Sequence, residues 1–494
     1  MDLVRSSGLP SSVVGMASPG PEVSEDYPIY LWLDAVRHAE RALKDLKGVI
    51  TAFNVNIDAL HYIRPGEIEN MLSGLDRDLF NERFRNPPDK IDVAEDLLAG
   101  LLLSMKTGRG MEWIIRKKAV SDWINENFQV DEYRMGGLAG ITANVLARLG
   151  VGKIYPHVAS LPRLQAELFE GENIKIPTIS DGFVAFEGPL GAVREYDEPL
   201  IHWIFEYHSG MKVHLRGGEY IVTPNANRFI AAFDDKNTRL HIDDSFVKGI
   251  GEVIEEVDLA IISGYHLLSV AESFAERINF TKHLFKSWKK SSGLKIHLEL
   301  AYFTDLRILS HVLRSLSDVI DGLGMNEDEL IQCLSALSGK RVSVETANSS
   351  EKHLIDGLIY LMKALGMRRM VVHTRDFCIA ISDKSAKEDI LHAMAFGNLV
   401  AAAKALSGRH CGLDEIRSIL SGGRLHVSDE GVKALNSIAN RLGLRSRELL
   451  RDGSAEIDGY RLWFIPTLIV DKPLSTVGLG DCFTAGYCLL AYRP

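Results

Sequence analysis

The chain has little cysteine. Five residues in 494, at positions 333, 378, 411, 482 and 488, form no CxxC pair and no spacing that would hold zinc. So sparse and odd a set excludes a disulfide framework and reads as a reducing cytoplasmic setting. No block of lysine and arginine occurs, and the net charge is −10. That excludes a nucleic-acid footprint, so an anionic ligand has to be held by a local site. Long apolar runs are missing too: LLAGLLLSM (97–105) is about half the length of a bilayer span. Residues 1–28, rich in Ser, Gly and Pro, lack the continuous apolar stretch of a secretory signal and read as a flexible leader outside the fold. No repeat of fixed period and no low-complexity tract follows.

What is present is the balance of a globular enzyme, 46% hydrophobic and 25% charged. At 494 residues the chain exceeds what one core organises, which predicts a large domain plus a smaller one. Short β-branched runs alternate with helical patterns: GVITAF (48–53), GLAGITANVLARLG (137–150) and KIYPHVA (153–159). Such alternation predicts parallel βαβ units. Further buried strands are expected at 220–224, 258–264, 294–300, 317–325 and 367–374. The intervals 60–135 and 165–215 differ, with segments such as GFVAFEGPL and IHWIFEY between turn residues. The expectation is a large α/β domain over about 29–59, 136–164 and 216–494, with a small sheet-rich lid over about 60–135 and 165–215.

Near the C-terminus, STVGLGDCFTAGYCLL (475–490) sets a carboxylate where an apolar helix begins. A Gly-x-Gly-Asp turn feeding a helix aims free amides at one point and can cradle a phosphoryl group. Asp481 can then take a proton from a sugar hydroxyl while the amides of Leu479, Gly480 and Asp481, entered from Gly478, steady the transferring group. The competing reading makes Asp481 a helix cap.

This GLGD resembles the phosphoryl-transfer motif of the ribokinase-like sugar kinases. Other segments resemble one branch of them, the ADP-dependent glucokinases and phosphofructokinases. They are AFNVNIDAL (52–60), RMGGLAGITANVLARLG (134–150), YPHVA (155–159), IHWIFEY (201–207), NANRFIAAFD (225–234), HLEL (297–300), GMNEDEL (324–330) and IPTLIV followed by TVGLGD (465–481), in the family's order. The resemblance implies a ribokinase-like fold, an α/β doubly wound, mainly parallel sheet flanked by helices with a smaller β-rich lid domain. It also implies transfer of the β-phosphate of ADP to a sugar, leaving AMP, in a modified glycolysis. Cys482, Phe483 and Thr484 depart from the small or hydroxyl residues that the family often has after its aspartate.

Each segment has a chemistry of its own. Asn54, Asn56 and Asp58 alternate at the end of an apolar strand, where they either meet sugar hydroxyls or form an Asx turn. Gly136 and Gly137 precede a helix and permit close backbone approach to a ligand. Glu299, beside His297, and Glu329, three residues after Asn326, can approach one Mg²⁺ from different strands, partly through water. Glu329 can equally close a capping box on Asn326, and His297 can be a satisfied core histidine; the two readings are compatible. The Asn326 segment matches the family's NxxE motif.

Arg228 can bridge nucleotide phosphate oxygens or make a surface ion pair. For adenine, the segments VVHTRDF, with His373 and Phe377, and FIPTLIV, with Ile465 and Pro466, offer apolar faces that serve equally as core. Glu112 resembles a lid glutamate that meets sugar hydroxyls in the glucokinase branch. A fructose 6-phosphate site needs cations for its second phosphate, and Arg163, Arg194 and Arg109 are available. Arg163 follows YPHVASLP, where the family's phosphofructokinases often carry a basic residue.

The leading reading is an ADP-dependent phosphofructokinase, bifunctional with glucose, that works with Mg²⁺ or another divalent cation as a cytoplasmic monomer or small homo-oligomer, with no nucleic-acid or membrane partner. An ADP-dependent glucokinase, an ATP-using ribokinase relative and an inactive sugar-binding protein are the alternatives. Retention of Asp481, Glu299 and Glu329 together speaks against the last.

Overall fold

A computed structural model describes residues 30–493, apart from 216–217, 270–272, 340–350, 385–388, 446–448 and 450–452; the expected leader lies outside these. The β-branched runs form a nine-stranded sheet in the order Ala455–Ile457, Tyr460–Pro466, Phe377–Ser382, Arg369–His373, Gly322–Met325, Lys295–Glu299, Leu259–Ile262, Val49–Ala52, Ile154–Pro156. From Ile154–Pro156 through Arg369–His373 every neighbouring pair is parallel, and the last three strands join antiparallel. Strands buried on both faces need no polar alternation, which is why they read as continuous apolar runs. The expected ribokinase-like α/β architecture is therefore present.

A separate six-stranded sheet holds Lys90–Ile91, Met111–Ile115, Asn227–Phe233, Ile201–Tyr207, Asn56–Tyr62 and Glu132–Gly136. It has its own core, around Trp113, Phe128, Trp203, Phe205 and Phe229, under the Ala94–Thr107 helix. The lid boundaries therefore move. Residues 165–200 belong with the large core: Ile174, Ile176 and Ala192 pack there, and the hairpin Ile176–Ser180 with Phe183–Glu187 lies on the Asp244–Val253 helix. The lid instead takes Asn227–Phe233, so Arg228 is a lid residue. Alternating polarity announces a strand but not the sheet it joins. The strand expected at 220–224 is also not a core strand; Tyr220–Val222 pairs with Lys212–His214 in a small hairpin.

Helix Ile390–Ser407 is long and apolar enough to cross a membrane, yet 72% of that window is buried inside the fold. It packs along the Leu479–Ala491 helix. A Cβ at Gly486 would stand 2.9 Å from the Cα of Gly397, so a glycine in each helix lets the backbones meet. This contact seats the helix that begins with GLGD.

Candidate active site

Gly478 caps the Leu479–Ala491 helix in the left-handed conformation, so Leu479, Gly480 and Asp481 form its first turn. Amides in a first turn have no partner within their helix, and Leu479 and Gly480 line a cavity. Asp481 is half-buried. Burial, with the charge of Glu299 behind it, pushes its carboxyl up to about 7. A Cβ at Gly480 would stand 3.3 Å from His373 Cε1, so this glycine lies against the His373 ring.

The GLGD turn separates two cavities. On one side, about 430 Å³ is enclosed by Thr476, Leu479, Gly480, His373, Ala401, Ala405 and the stretch Thr467–Val470, among others. An apolar wall ending at a helix N-terminus suits a nucleoside carrying phosphate. On the other side, about 200 Å³ lies among Asp58, Tyr133, Arg134, Lys404, His410 and Gly478.

The chain crosses from the large sheet to the lid between Ala52 and Asn56, which gathers Asn54, Asn56 and Asp58, all buried, at the junction. Asn56 Nδ2 donates to Asp58 Oδ1 at 2.7 Å. Burial raises the Asp58 carboxyl to about 6. Gly136 and Gly137 lie against this group: a Cβ on either would collide with the Asn54 backbone or the Asn56 and Asp58 side chains, and Gly137 has φ +75°. Glu112 comes from the lid strand Met111–Ile115, with Oε1 3.8 Å from His202 Nδ1. Arg228, partly buried, faces the same charges and makes no side-chain hydrogen bond or ion pair among the described residues.

His202 lies in the IHWIFEY segment but was not expected at the site. Its Nε2 lies 3.0 Å from Asp234 Oδ2, and Asp234 in turn accepts from Asn237 Nδ2 at 2.7 Å. Burial opposes its charge, but Asp234, Glu112 and Asp58 outweigh burial and raise it to about 9. The one available signal was a histidine set inside an apolar strand. Lys404 and His410, which line the cavity with Asp58, were also missed, because one ends a core helix and the other follows it with no pattern of their own.

Behind the GLGD turn, Glu299 accepts from His297 Nε2 and His373 Nε2, each at 2.9 Å. Burial works against its charge, yet these hydrogen bonds hold it down at about 2. Glu329 closes a capping box, accepting the Asn326 amide at 2.8 Å. Burial, opposed by that amide and reinforced by the charge of Glu299, raises it to about 7. Two buried carboxylates, one held in charge and the other hindered from ionising by it, fit a hard divalent cation that would offset the repulsion.

Other expectations move. Ile465 is wholly buried in its strand opposite Cys378 and lines neither cavity, and Phe377 stacks on Phe464 at 5.1 Å. The apolar wall is supplied two residues later, from Thr467, because side chains of a central strand point into the layers on either side. Asn326 spends its side chain on the helix cap and Glu329. Arg194 binds Asp197 and Asp243 and the Val158 carbonyl, so it braces the large domain instead of presenting a free cation. Arg163 is exposed, 3.9 Å from Glu167. Arg109 is exposed as well.

Residues 47–490 match the family model described as the ADP-specific phosphofructokinase/glucokinase conserved region. The chain is 31% identical over 458 residues to the ADP-dependent glucose/glucosamine kinase of Pyrococcus furiosus, covering 92% of this chain and 96% of that one. It is 30% identical over 447 residues to the ADP-specific phosphofructokinase of Pyrococcus horikoshii, covering 89% and 96%. A solved ADP-dependent kinase in complex with fructose 6-phosphate and ADPβS superposes with a TM-score of 0.79 at 26% identity, covering 96% of this chain and 99% of that one.

Proposed function

Because the chain belongs to the ADP-specific phosphofructokinase/glucokinase family and is an ADP-dependent sugar kinase, we propose that it phosphorylates fructose 6-phosphate, with glucose as a second acceptor and Asp481 as the base. The observation that carries this reading is the GLGD turn standing as the shared wall of two cavities, one apolar, the other lined by Asp58. ADP would lie on the side of His373 and Gly480, and sugar on the side of Asp58.

The sugar oxygen attacks the β-phosphorus, its proton passes to Asp481, and the bond from the β-phosphorus to the oxygen of AMP breaks. A base near 7 is matched to accept that proton at neutral pH. The first-turn amides meet the charge of the transferring group, and Arg228, free of other partners among the described residues, reaches it from the lid. Asn54, Asn56 and Asp58 orient hydroxyls from the hinge. Glu299 and Glu329 would hold Mg²⁺, which neutralises phosphate charge when bound. Closure of the lid would exclude water and so prevent hydrolysis of ADP.

Both kinds of acceptor find residues. Glu112, beside His202 and Asp58, suits the hydroxyls of glucose, and the cations Arg134 and Lys404 that line the Asp58 cavity suit a second phosphate. A soluble cytoplasmic enzyme of a modified glycolysis fits five free, buried cysteines. A coupled assay crossing ADP and ATP with glucose and fructose 6-phosphate tests the proposal. Turnover of fructose 6-phosphate with ADP is expected, with slower turnover of glucose. Preference for ATP, or turnover of glucose alone, would overturn the assignment.

A further inference from the structure

A second cluster of ligating side chains lies outside the cleft. His38 is in the first helix, Tyr30–Asp45; Asp389 caps the Ile390–Ser407 helix and His392 stands in its first turn. His38 Nδ1 lies 2.7 Å from Asp389 Oδ2, and His392 Nδ1 lies 2.8 Å from Oδ1 and 2.7 Å from Oδ2. The two imidazoles face each other with centroids 4.2 Å apart. One ligand atom from each residue falls within 4.8 Å of the other two.

We propose that His38, Asp389 and His392 form a second metal site, one that takes a divalent transition ion of the zinc class and ties the first helix to the start of the core helix. Two imidazoles and a carboxylate are the donors such ions prefer, whereas magnesium and calcium favour oxygen alone. The donors converge from helices some 350 residues apart in sequence and are already within coordinating reach, so little ordering remains to be done on binding. A carboxylate only accepts, so each Nδ1 bears hydrogen in the metal-free arrangement. Coordination moves that hydrogen to Nε2 in each ring, and the bond to Asp389 is replaced by the bond to metal. Asp389 is 43% exposed, so water completes the coordination shell.

The position has a consequence for the fold. Ala401, twelve residues along the same helix, lines the nucleotide cavity, about 18 Å away at 1.5 Å per residue. The ion would therefore brace the helix that walls the cavity while touching none of the reacting groups.

The test uses the full-length chain, stripped with chelator, kept in excess Mg²⁺ so that the catalytic carboxylates hold the harder ion, and titrated with Zn²⁺ against a chromogenic competitor. The parent is expected to bind a zinc ion per chain and to gain Tm on its addition. His38→Ala and His392→Gln are expected to lose affinity by at least about tenfold, to lose the Tm gain, and to keep their Mg²⁺-dependent turnover, which doubles as the folding control. A variant that fails that control is replaced by Asp389→Asn, which retains the helix cap. The proposal is overturned if the parent binds no zinc and the triad is only a shared-carboxylate ion pair. It is overturned equally if the variants bind zinc as the parent does, or if only Glu299→Gln abolishes binding.

Discussion

His373 Nε2 lies 2.9 Å from Glu299 Oε1, and the same ring stands against Gly480 of the phosphoryl-transfer turn. One histidine thus joins Glu299 to the first turn of the helix that carries Asp481. Since His297 and His373 already stabilise the charge of Glu299, Glu329 is the member of the proposed metal pair that a cation would ionise. Glu329→Gln is expected to raise the Mg²⁺ concentration for half-maximal turnover by about tenfold or more, with the capping box partly preserved by the amide. Turnover measured across a metal titration checks this, and a curve unchanged from the parent removes Glu329 from the site.

Asp481→Asn is expected to lower kcat by about 10²–10⁴ while leaving the KM for sugar nearly constant, because it removes proton acceptance and keeps the shape. In the parent the base acts ionised, so kcat/KM should be full above pH 7 and fall as pH drops through about 7. Steady-state kinetics across pH, with both substrates varied, measure the two quantities. Retention of turnover in the variant would remove Asp481 from the chemistry.

The same substitution has an opposite effect on stability. The fold raises the Asp481 carboxyl from 3.8 to about 7, so between those values the native state holds a proton that the unfolded chain releases, and stability falls as pH rises. Above 7 the full penalty for burying the charge persists, and a neutral amide escapes it. Asp481→Asn should therefore melt higher than the parent at alkaline pH, by about 2 °C or more, and the gap should close below pH 4. Thermal unfolding followed by circular dichroism at both pH values decides it.

The catalytic turn was legible because GLGD needs only local geometry: a left-handed glycine, a helix start and a carboxylate in the first turn. The parallel sheet was legible because strands buried on both faces are apolar throughout. Lid membership was not, since the partner of Ile201–Tyr207 or Asn227–Phe233 depends on contacts distant in sequence. Within the expected segments, His373 and Thr467–Val470 line the apolar cavity while Ile465 is core, because an apolar side chain in a strand does not say which layer it enters. His202 stayed hidden because its role comes from Asp234, Glu112 and Asp58, which only the folded lid brings together.

His202 gives a pH signature at the lid. Its folded value is raised from 6.5 to about 9, so the stabilisation from pairing with Asp234 is fully present below 6.5 and lost as pH rises through about 9. His202→Gln leaves Asp234 buried without a cation and should cost about 3 kcal/mol or more at neutral pH. The difference between parent and variant should shrink above pH 9. Denaturant unfolding on each side of that value measures the change, and a difference independent of pH would show that the His202 charge is not what holds Asp234.

Gly137 is a position where the hinge and the proposed sugar site meet. With φ +75°, it starts the Leu138–Leu149 helix against the Asn54 carbonyl, and Ala139 donates its amide to that same carbonyl at 3.2 Å. Gly137→Ala adds a methyl that has to displace the Asn54 backbone or the Asn56 side chain, and it strains the left-handed backbone by about 1–3 kcal/mol. Because Asn56 orients Asp58, the displacement reaches the groups assigned to the sugar hydroxyls before it reaches Asp481. The expected result is a raised KM for sugar, with the KM for ADP close to that of the parent. Initial-rate kinetics with each substrate varied separately test the assignment, and equal increases in both constants would mean that the glycine serves the fold alone.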